Sequence, residues 1–557
     1  MQQINLDAIL AEVGEFGKYQ KLVLWFILLP GVFPCGFHAY NQLFMAANPK
    51  HWCRIPELDH VNQEIVKNIS IPFIEKDGIL TYSECTMYDK NYTNISEDLY
   101  DEVTDSSKAK TIACKNGWIY DHTHYKNSVV MEWNLICDKD FSTTLALVLF
   151  GVGGLVGNYI FGYIQDGIGR KPAFFIYLLI QSIFGIATAF ANNFFMWIVF
   201  RIGVGFTVPA ILGTPCVLAI ELVGPRFRTT VTIMINIAYS LSLITVSVVV
   251  WAVRDWRQLA IITTLPFLAL FGFYWLFPES PRWLLSQGRF KEATDILNRI
   301  ARVNRKKQIS LDTFTNLKTS TEEENSKTQN QKTYGAYDLL RNPNLRLKTI
   351  IITFIWFTNT SVYVGLSYYA PILGGDEFFN FFLAGAVELP TYLFLWPSME
   401  KWGRRWILCV SMVIGGSACL ATFLVKHDPV VTLVLYCVGK MGISSSFVVL
   451  PLMASELYPT VVRGLGMSIS SVMGMLGPVF IPLVNYLGSD TLTLPLIIMG
   501  ALLVAGGTCS LLLPETLNQN LPQTLEDGEK TGLDCFACCT HPRSNKKIAV
   551  VHESGDF

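Results

Sequence analysis

Twelve apolar runs, each close to the length of a membrane-spanning helix, limit how this chain of 557 residues can fold. Because lipid cannot hydrogen-bond an open backbone, each run is predicted to be a helix and not a barrel strand. The fold class that follows is an all-α polytopic membrane protein with 12 transmembrane helices. Six runs lie at 21 to 45, 143 to 165, 172 to 190, 195 to 220, 231 to 253 and 259 to 277. The other six lie at 349 to 371, 378 to 398, 406 to 425, 429 to 454, 466 to 487 and 493 to 513.

Composition and charge agree with a membrane protein and exclude several other classes. Charged residues make up 16% of the chain, against about 25% in a soluble protein. The net charge of -1 produces no field that would attract nucleic acid. The sequence contains no P-loop and no nucleophile elbow, and no clustered metal ligands outside the cysteines of the first long loop. We therefore expect no enzyme, no ATP-driven pump, no metal site and no cofactor.

The short connections between the runs place their basic residues on one side of the membrane, and the positive-inside rule makes that side cytoplasmic. These residues are Arg170, Lys171, Arg226, Arg228, Arg404, Arg405 and Arg463. Residues 1-20 lack the pattern of a secretory signal. The predicted order is a cytoplasmic N-terminus at 1-20, a six-helix half at 21-277 with an extracellular loop at 46-140, a cytoplasmic segment at 278-348, a second six-helix half at 349-513 and a cytoplasmic tail at 514-557.

The first long loop has two features of an extracellular segment. It holds three glycosylation acceptors, Asn68, Asn91 and Asn94. An even number of cysteines in an oxidising compartment predicts two disulfides, for which three pairings remain open. The four cysteines are Cys53, Cys85, Cys114 and Cys137.

The segment from 289 to 307 is predicted to be an amphipathic helix, which either caps the helix bundle or lies on the membrane surface. Its apolar positions are Ala293, Ile296, Leu297, Ile300 and Val303. In the tail, Cys535, Cys538 and Cys539 are either sites of palmitoylation or part of an unmodified tail.

An internal repeat divides the chain into two related halves. Asp166 and Glu400 open matching acid-x-x-Gly-Arg-basic motifs that lie 234 residues apart. Glu221 and Glu456, each seven residues before an arginine, lie 235 apart, and the Pro-Glu pairs at 278 and 514 lie 236 apart. Three markers at one nearly constant shift indicate two six-helix halves related by duplication.

The loop motif at 162–171 and its echo in the second half resemble the major facilitator superfamily. Within it, the stretches 132–138 (EWNLICD) and 278–283 (PESPRW) are similar to those of the organic cation, anion and zwitterion transporter family, especially its insect organic cation transporter-like and carnitine-type members. The resemblance implies a plasma-membrane carrier of two pseudo-symmetric halves that rock about a central site. A sodium ion or a proton is then the expected coupling ion, if transport is coupled.

Acidic and basic residues at the cytoplasmic helix ends are predicted to form a cytoplasmic gate. Charge pairs between these helices would hold the inner gate shut while the central site faces outward. The alternative is that the same groups only set topology and solvate helix ends. The set comprises Asp166, Arg170, Glu221, Arg228, Glu400, Arg404, Glu456 and Arg463.

Two charged residues lie inside spans, where charge is costly and usually functional. Glu388 and Lys440 lie at similar depths in the eighth and tenth runs, so they can pair across the cavity of the second half. The resembling family carries an acid and a base at these positions, and their pairing is thought to change during transport. The alternative is a buried pair with a purely structural role.

Aromatic residues are the other candidates for substrate contact. Trp356 and Tyr363 share one helix face in the seventh run, with Tyr368 nearby, and aromatic faces attract ammonium groups. The family's seventh helix carries Trp and Tyr at this spacing. In the first run, Phe37 and Asn41 flank His38, which we interpret as a core residue. Arg201, near the outer end of the fourth run, is expected to extend to water and to have a mainly structural role.

The sequence departs from the family at one position of the eleventh run. Cation-transporting members tend to carry an Asp there, and anion- or carnitine-type members an Arg, whereas this chain has Met475. With neither charge present, the expected substrate is a small organic cation or a zwitterion, such as a carnitine-like betaine or a β-alanine-like amine. The alternatives are an organic anion transporter of the same family and a receptor that does not transport. The oligomeric state is left open.

Overall fold

The computed structural model describes residues 6–76, 79–90, 92, 110–309, 336–425, 428–459, 461–488, 493–517, 519, 522 and 524–530. Some predicted features lie outside this part of the chain, namely the acceptors Asn91 and Asn94, the tail cysteines and the side chain of Glu400.

Twelve apolar helical segments form the membrane part of the described chain; eleven are long enough to span a bilayer, and the last has 17 residues. In the first half the spans are Lys18–Met45, Phe141–Ile168, Arg170–Thr188, Phe194–Leu222, Arg228–Ala252 and Trp256–Ile262, the sixth continuing as a 3-10 helix at Leu265–Phe273. In the second half they are Pro343–Tyr369, Glu377–Ala386 with Glu388–Trp402, Arg404–Ala421, Pro429–Leu457, Arg463–Gly474 with Leu476–Leu487, and Leu494–Ser510.

The eighth and eleventh spans are interrupted where unbroken helices were expected. The breaks fall at Val387 and Met475. Pro390 and Pro478 follow three residues later, and proline lacks the N–H that would bond to the carbonyl four residues before it. The breaks place Glu388 and Met475 at helix ends near the middle of their spans.

The second and fourth spans cross at glycines with almost no space between their backbones. A Cβ added at Gly157 would lie 1.9 Å from the carbonyl oxygen of Phe206, and one added at Gly153 would lie 2.6 Å from that of Ile202. Small residues allow this close packing in lipid. A Cβ at Gly162 on the same helix would meet nothing within 4 Å.

We therefore expect Gly157→Ala to force the two spans apart, since overpacking costs about 1–3 kcal/mol. Surface biotinylation and the thermal unfolding midpoint of the detergent-solubilised protein should both fall. Gly162→Ala is the matched control and should leave both unchanged. Equal effects of the two substitutions would contradict the packing argument.

The long loop between the first and second spans forms a small domain with β-structure, which the helical runs did not predict. Its helix α2 is Gln63–Ser70, after helix α1 at Leu6–Val13. Its disulfides join Cys53 to Cys114 and Cys85 to Cys137, which selects one of the three open pairings. Asn68 is exposed at the end of α2. The strands are β1 His51–Cys53, β2 Phe73–Lys76, β3 Ile79–Tyr82, β4 Thr86–Tyr88, β5 Thr111–Ala113 and β6 Trp118–Tyr120, paired antiparallel as β1 with β6, β2 with β3 and β4 with β5.

Glu132 attaches this loop to the membrane part. It lies in helix α3, Val129–Trp133, and its carboxylate accepts hydrogen bonds from Arg257 at 2.5 Å and from the indole of Trp256 at 2.9 Å. Burial opposes ionisation, but these bonds and one from Asn127 outweigh it and lower the pKa of Glu132 below its usual value. The EWNLICD stretch thus contains the anchor between the loop domain and the sixth span.

The opposite side of the membrane part is covered by helices α4, Pro281–Ser286, and α5, Phe290–Asn304. The apolar face of α5 packs against α1 and the first span, although Val303 at its edge is exposed. Asp7 of α1 forms ion pairs of 2.7 Å with both Arg228 and Arg282. The N-terminal segment is therefore part of the packed structure and not a plain polar extension. Two shorter helices follow, α6 at Ala336–Arg341 and α7 at Leu525–Lys530.

Candidate functional site

A cavity of about 140 Å³ lies between the two halves and is lined by residues from the spans of both. Its lining is mostly apolar and comes from both halves, with Asn236 and Thr360 among the few polar side chains. Seven aromatic residues line it: Tyr40, Phe150, Tyr239, Tyr363, Tyr368, Tyr392 and Phe447. Such a lining suits a small organic ammonium group, which aromatic faces attract.

Glu388 and Lys440 form a buried ion pair beside this cavity. Their charged atoms lie 3.1 Å apart, and both side chains are fully shielded from solvent. The ammonium of Lys440 also donates to Ser367 at 2.6 Å and lies 3.7 Å from the ring centre of Tyr363. The ring of Tyr363 therefore lies between the ammonium of Lys440 and the cavity in which a substrate would bind.

The carboxylate of Glu388 also connects the two halves. Ser240, from the fifth span in the first half, donates a hydrogen bond to it. Within the second half, Ser444 donates to it at 3.0 Å and Tyr392 at 3.3 Å. Rocking of one half against the other must break the bond from Ser240. Sequence reasoning missed Ser240, because a lone serine in an apolar run carries no signal of its partner.

The structure separates the other predicted substrate residues into two groups. Tyr363, Tyr368 and Met475 line the cavity. Trp356, Phe37 and Asn41 do not belong to its described lining. Trp356 lies two helical turns from Tyr363, against Gly474. Phe37 packs edge-on against Phe267 at 5.1 Å, and Asn41 donates to Thr263 at 3.0 Å.

Arg201 does not extend to water, as its position near the end of the fourth run had suggested. It is 1% exposed and donates three hydrogen bonds to the first span, to Gln42 and Asn41 at 2.9 Å and to the carbonyl of His38 at 3.1 Å. The expectation was wrong because these acceptors are supplied by a distant part of the chain. The His38 ring contacts the Pro34 carbonyl and Thr264, as a core residue would.

The two halves are in contact on the membrane side that carries the 46–140 loop, here called the loop side. Phe44 of the first span packs against Phe378 and Phe381 of the eighth. Tyr125 donates to Glu377 at 2.7 Å, and Ser247 donates to the carbonyl of Phe378 at 2.7 Å. These contacts close the cavity toward the loop side.

On the other side, here called the linker side because it carries the 278–348 segment, the predicted gate residues pair within each half. Arg170 contacts Glu221 at 3.1 Å and Asp166 at 3.2 Å. In the second half, Arg404 contacts Glu456 at 3.4 Å.

Arg228 pairs with Asp7 instead of with another member of the predicted gate. The Nε of Arg463 donates to the carbonyl of Tyr458 at 3.4 Å. In this state the cavity is closed toward the loop side, and each described ion pair on the linker side joins residues of the same half.

Two glutamates of the repeated Pro-Glu motifs cap helices on the linker side. Glu279 accepts from the backbone N–H of Arg170 at 2.9 Å, and Glu515 accepts from that of Arg404 at 2.9 Å. A carboxylate is favourable at a helix N-terminus. The motifs therefore have matching local roles in the two halves, although sequence reasoning had used them only as repeat markers.

Comparison with known proteins agrees with this architecture. The family model described as "Sugar (and other) transporter" matches residues 87–526. The β-alanine transporter of Drosophila melanogaster is 54% identical, covering 99% of this chain and 95% of its own. The carcinine transporter of the same fly is 43% identical over 97% and 82%, and the human organic cation/carnitine transporter 2 is 32% identical over 94% and 93%.

Among solved structures, the partially occluded inward-open form of the xylose transporter XylE from E. coli covers 89% of this chain and 99% of its own, with a TM-score of 0.56 and 16% identity. At that identity the match shows the fold alone. The chain therefore belongs to the sugar (and other) transporter family of the major facilitator fold and, as its loop motifs had indicated, to the organic cation and carnitine transporters within it.

Proposed function

We propose that this protein carries small zwitterionic amines across the membrane by alternating access, with β-alanine as the first candidate substrate. The observation that carries the proposal is the aromatic cavity between the halves, beside the buried pair of Glu388 and Lys440. The 54% identity to a β-alanine transporter over nearly the full length supports the choice of substrate. No covalent chemistry is required.

The transport cycle follows from the contacts between the halves. In the present state the aromatic contacts on the loop side close the cavity, and Ser240 holds Glu388 across the interface. Opening toward the loop side requires Phe44 to leave Phe378 and Ser240 to release Glu388. Tyr392 lines the cavity and donates to Glu388, so substrate binding and the rearrangement of Glu388 are linked through this side chain.

The same proposal places the protein in the plasma membrane with the loop side outside and both termini in the cytoplasm. The two loop disulfides suit an oxidising compartment, and the basic connections suit the cytoplasm. Transport is then either facilitative or coupled to sodium or protons; a related fold, that of XylE, is described as a proton:xylose symporter.

Uptake into expressing cells tests the proposal and its two rivals. Labelled β-alanine, carnitine, tetraethylammonium and p-aminohippurate are supplied with and without sodium, at two external pH values. We expect β-alanine uptake above vector-transfected cells. Uptake of p-aminohippurate alone would favour an organic anion transporter. Surface expression with uptake of none of the four would favour a receptor that does not transport.

A further inference from the structure

Arg201 is a fully buried cation that has no carboxylate partner among the described residues. Its three hydrogen bonds end on two amide oxygens and one backbone carbonyl, all neutral. Arginine is almost never fully buried unless its charge is paired. An uncompensated charge in a core is strongly destabilising. The described acceptors around Arg201 therefore supply no compensating negative charge.

The hydrogen-bond donors around Arg201 outnumber the acceptors. Its Nη1 has no hydrogen-bond partner in the described part of the chain. The Nε2 of Gln42 is buried and also unpartnered. The oxygens of Gln42 and Asn41 accept from Nε and Nη2 of the guanidinium, and no described hydrogen bond runs from Nη1 to either of them. Donors on Nη1 of Arg201 and Nε2 of Gln42 can bond to the two oxygens of a carboxylate.

The site adjoins the loop-side end of the substrate cavity. The guanidinium carbon lies 5.1 Å from the ring centre of Phe150, whose side chain lines the cavity. Arg201 also lies one helical turn before Gly205, another lining residue. A rotation of Phe150 would therefore open the guanidinium of Arg201 to the cavity contents.

We propose that Arg201, assisted by Gln42, binds the carboxylate of a zwitterionic substrate while the aromatic residues hold its ammonium. This inference rests on the proposed function and specifies the recognition of its substrate class. Anion- and carnitine-type members of the family carry an arginine in the eleventh span, where this chain has Met475. In this chain Arg201, from the opposite half, supplies the positive charge instead. Glu388 and Lys440 then neutralise each other and need not read the substrate's carboxylate.

The test compares β-alanine with β-alaninamide, which has the same skeleton but a neutral amide in place of the carboxylate. Uptake of both, and of tetraethylammonium, is measured in wild type, Arg201→Gln and Arg201→Lys, normalised to surface protein. Arg226→Gln is the matched control, because Arg226 is exposed on the linker side. We expect Arg201→Gln to lose β-alanine uptake by at least about tenfold, because the charged hydrogen bonds to the carboxylate are lost, while uptake of the two cations persists. Arg201→Lys should retain an intermediate preference for β-alanine.

Three results would overturn the inference. Equal losses for all three solutes at normal surface levels would make Arg201 purely structural. A preference for β-alanine over its amide that survives in Arg201→Gln would place carboxylate recognition elsewhere. If replacing external chloride by gluconate abolishes wild-type uptake of all three solutes but leaves Arg201→Gln unaffected, the bound anion is chloride.

Two further controls separate other causes of failure. Should Arg201→Gln not reach the surface, Gln42→Leu takes its place, and a loss of preference for β-alanine over the amide is again expected; an unchanged preference contradicts the inference. Wild type that transports neither β-alanine nor the amide refutes the proposed function itself, which is a different outcome.

Discussion

Uptake by Glu388→Gln should fall to the level of vector-transfected cells while the protein still reaches the surface. The substitution keeps the shape of the side chain but removes the charge that lies 3.1 Å from Lys440. Breaking a buried pair costs about 3–5 kcal/mol, which corresponds to more than about 100-fold in an equilibrium. The carboxylate that Ser240 holds across the two halves is lost as well. Labelled β-alanine uptake, normalised to biotinylated surface protein, measures the effect.

A double variant separates the transport role of Glu388 from a structural one. Glu388→Gln with Lys440→Met removes both charges, so neither remains unpaired in the core. If the pair only stabilises the fold, the double variant should regain stability and uptake together. If Glu388 acts in the cycle, stability returns and uptake does not. Normal uptake by the single variant would remove Glu388 from the mechanism.

The spans and the two halves could be read from the sequence because they depend on local hydropathy and on a repeat. The similar depths of Glu388 and Lys440 in their runs also indicated that they could meet, and the structure places them in contact. Pro390 and Pro478 were visible signals of the two helix breaks, which continuous apolar runs concealed. Proline positions alone would not have located them, because Pro451 lies inside an unbroken span.

Contacts between distant spans could not be predicted in this way. An arginine near the end of an apolar run, such as Arg201, can either extend its side chain to water or be buried in the core. The outcome depends on whether Asn41 and Gln42 of the first span face it, and helix rotation is set by packing along the whole bundle. The same limit applies to Ser240 and Glu388, and to Asp7, whose arginine partners lie 221 and 275 residues away.

The charge at position 475 should decide between simple cations and zwitterions. Met475 lines the cavity at the break of the eleventh span, immediately before the helix Leu476–Leu487. The backbone of Met475 has right-handed helical angles (φ -67°, ψ -8°), which Asp adopts without strain, so Met475→Asp should fold. A carboxylate about 4 Å from an ammonium gains about 4 kcal/mol at an effective dielectric constant of about 20, part of which desolvation offsets. Tetraethylammonium uptake should therefore rise by about tenfold.

The same variant should transport β-alanine less well, because the new carboxylate repels the substrate's own and competes with it for Arg201. The ratio of tetraethylammonium uptake to β-alanine uptake should therefore rise, because the first increases and the second decreases. Met475→Asn is the matched control, since it has nearly the size and polarity of Asp without the charge. If Asn and Asp alter the ratio equally, polarity and not charge is responsible, and the cavity does not read substrate charge at this position.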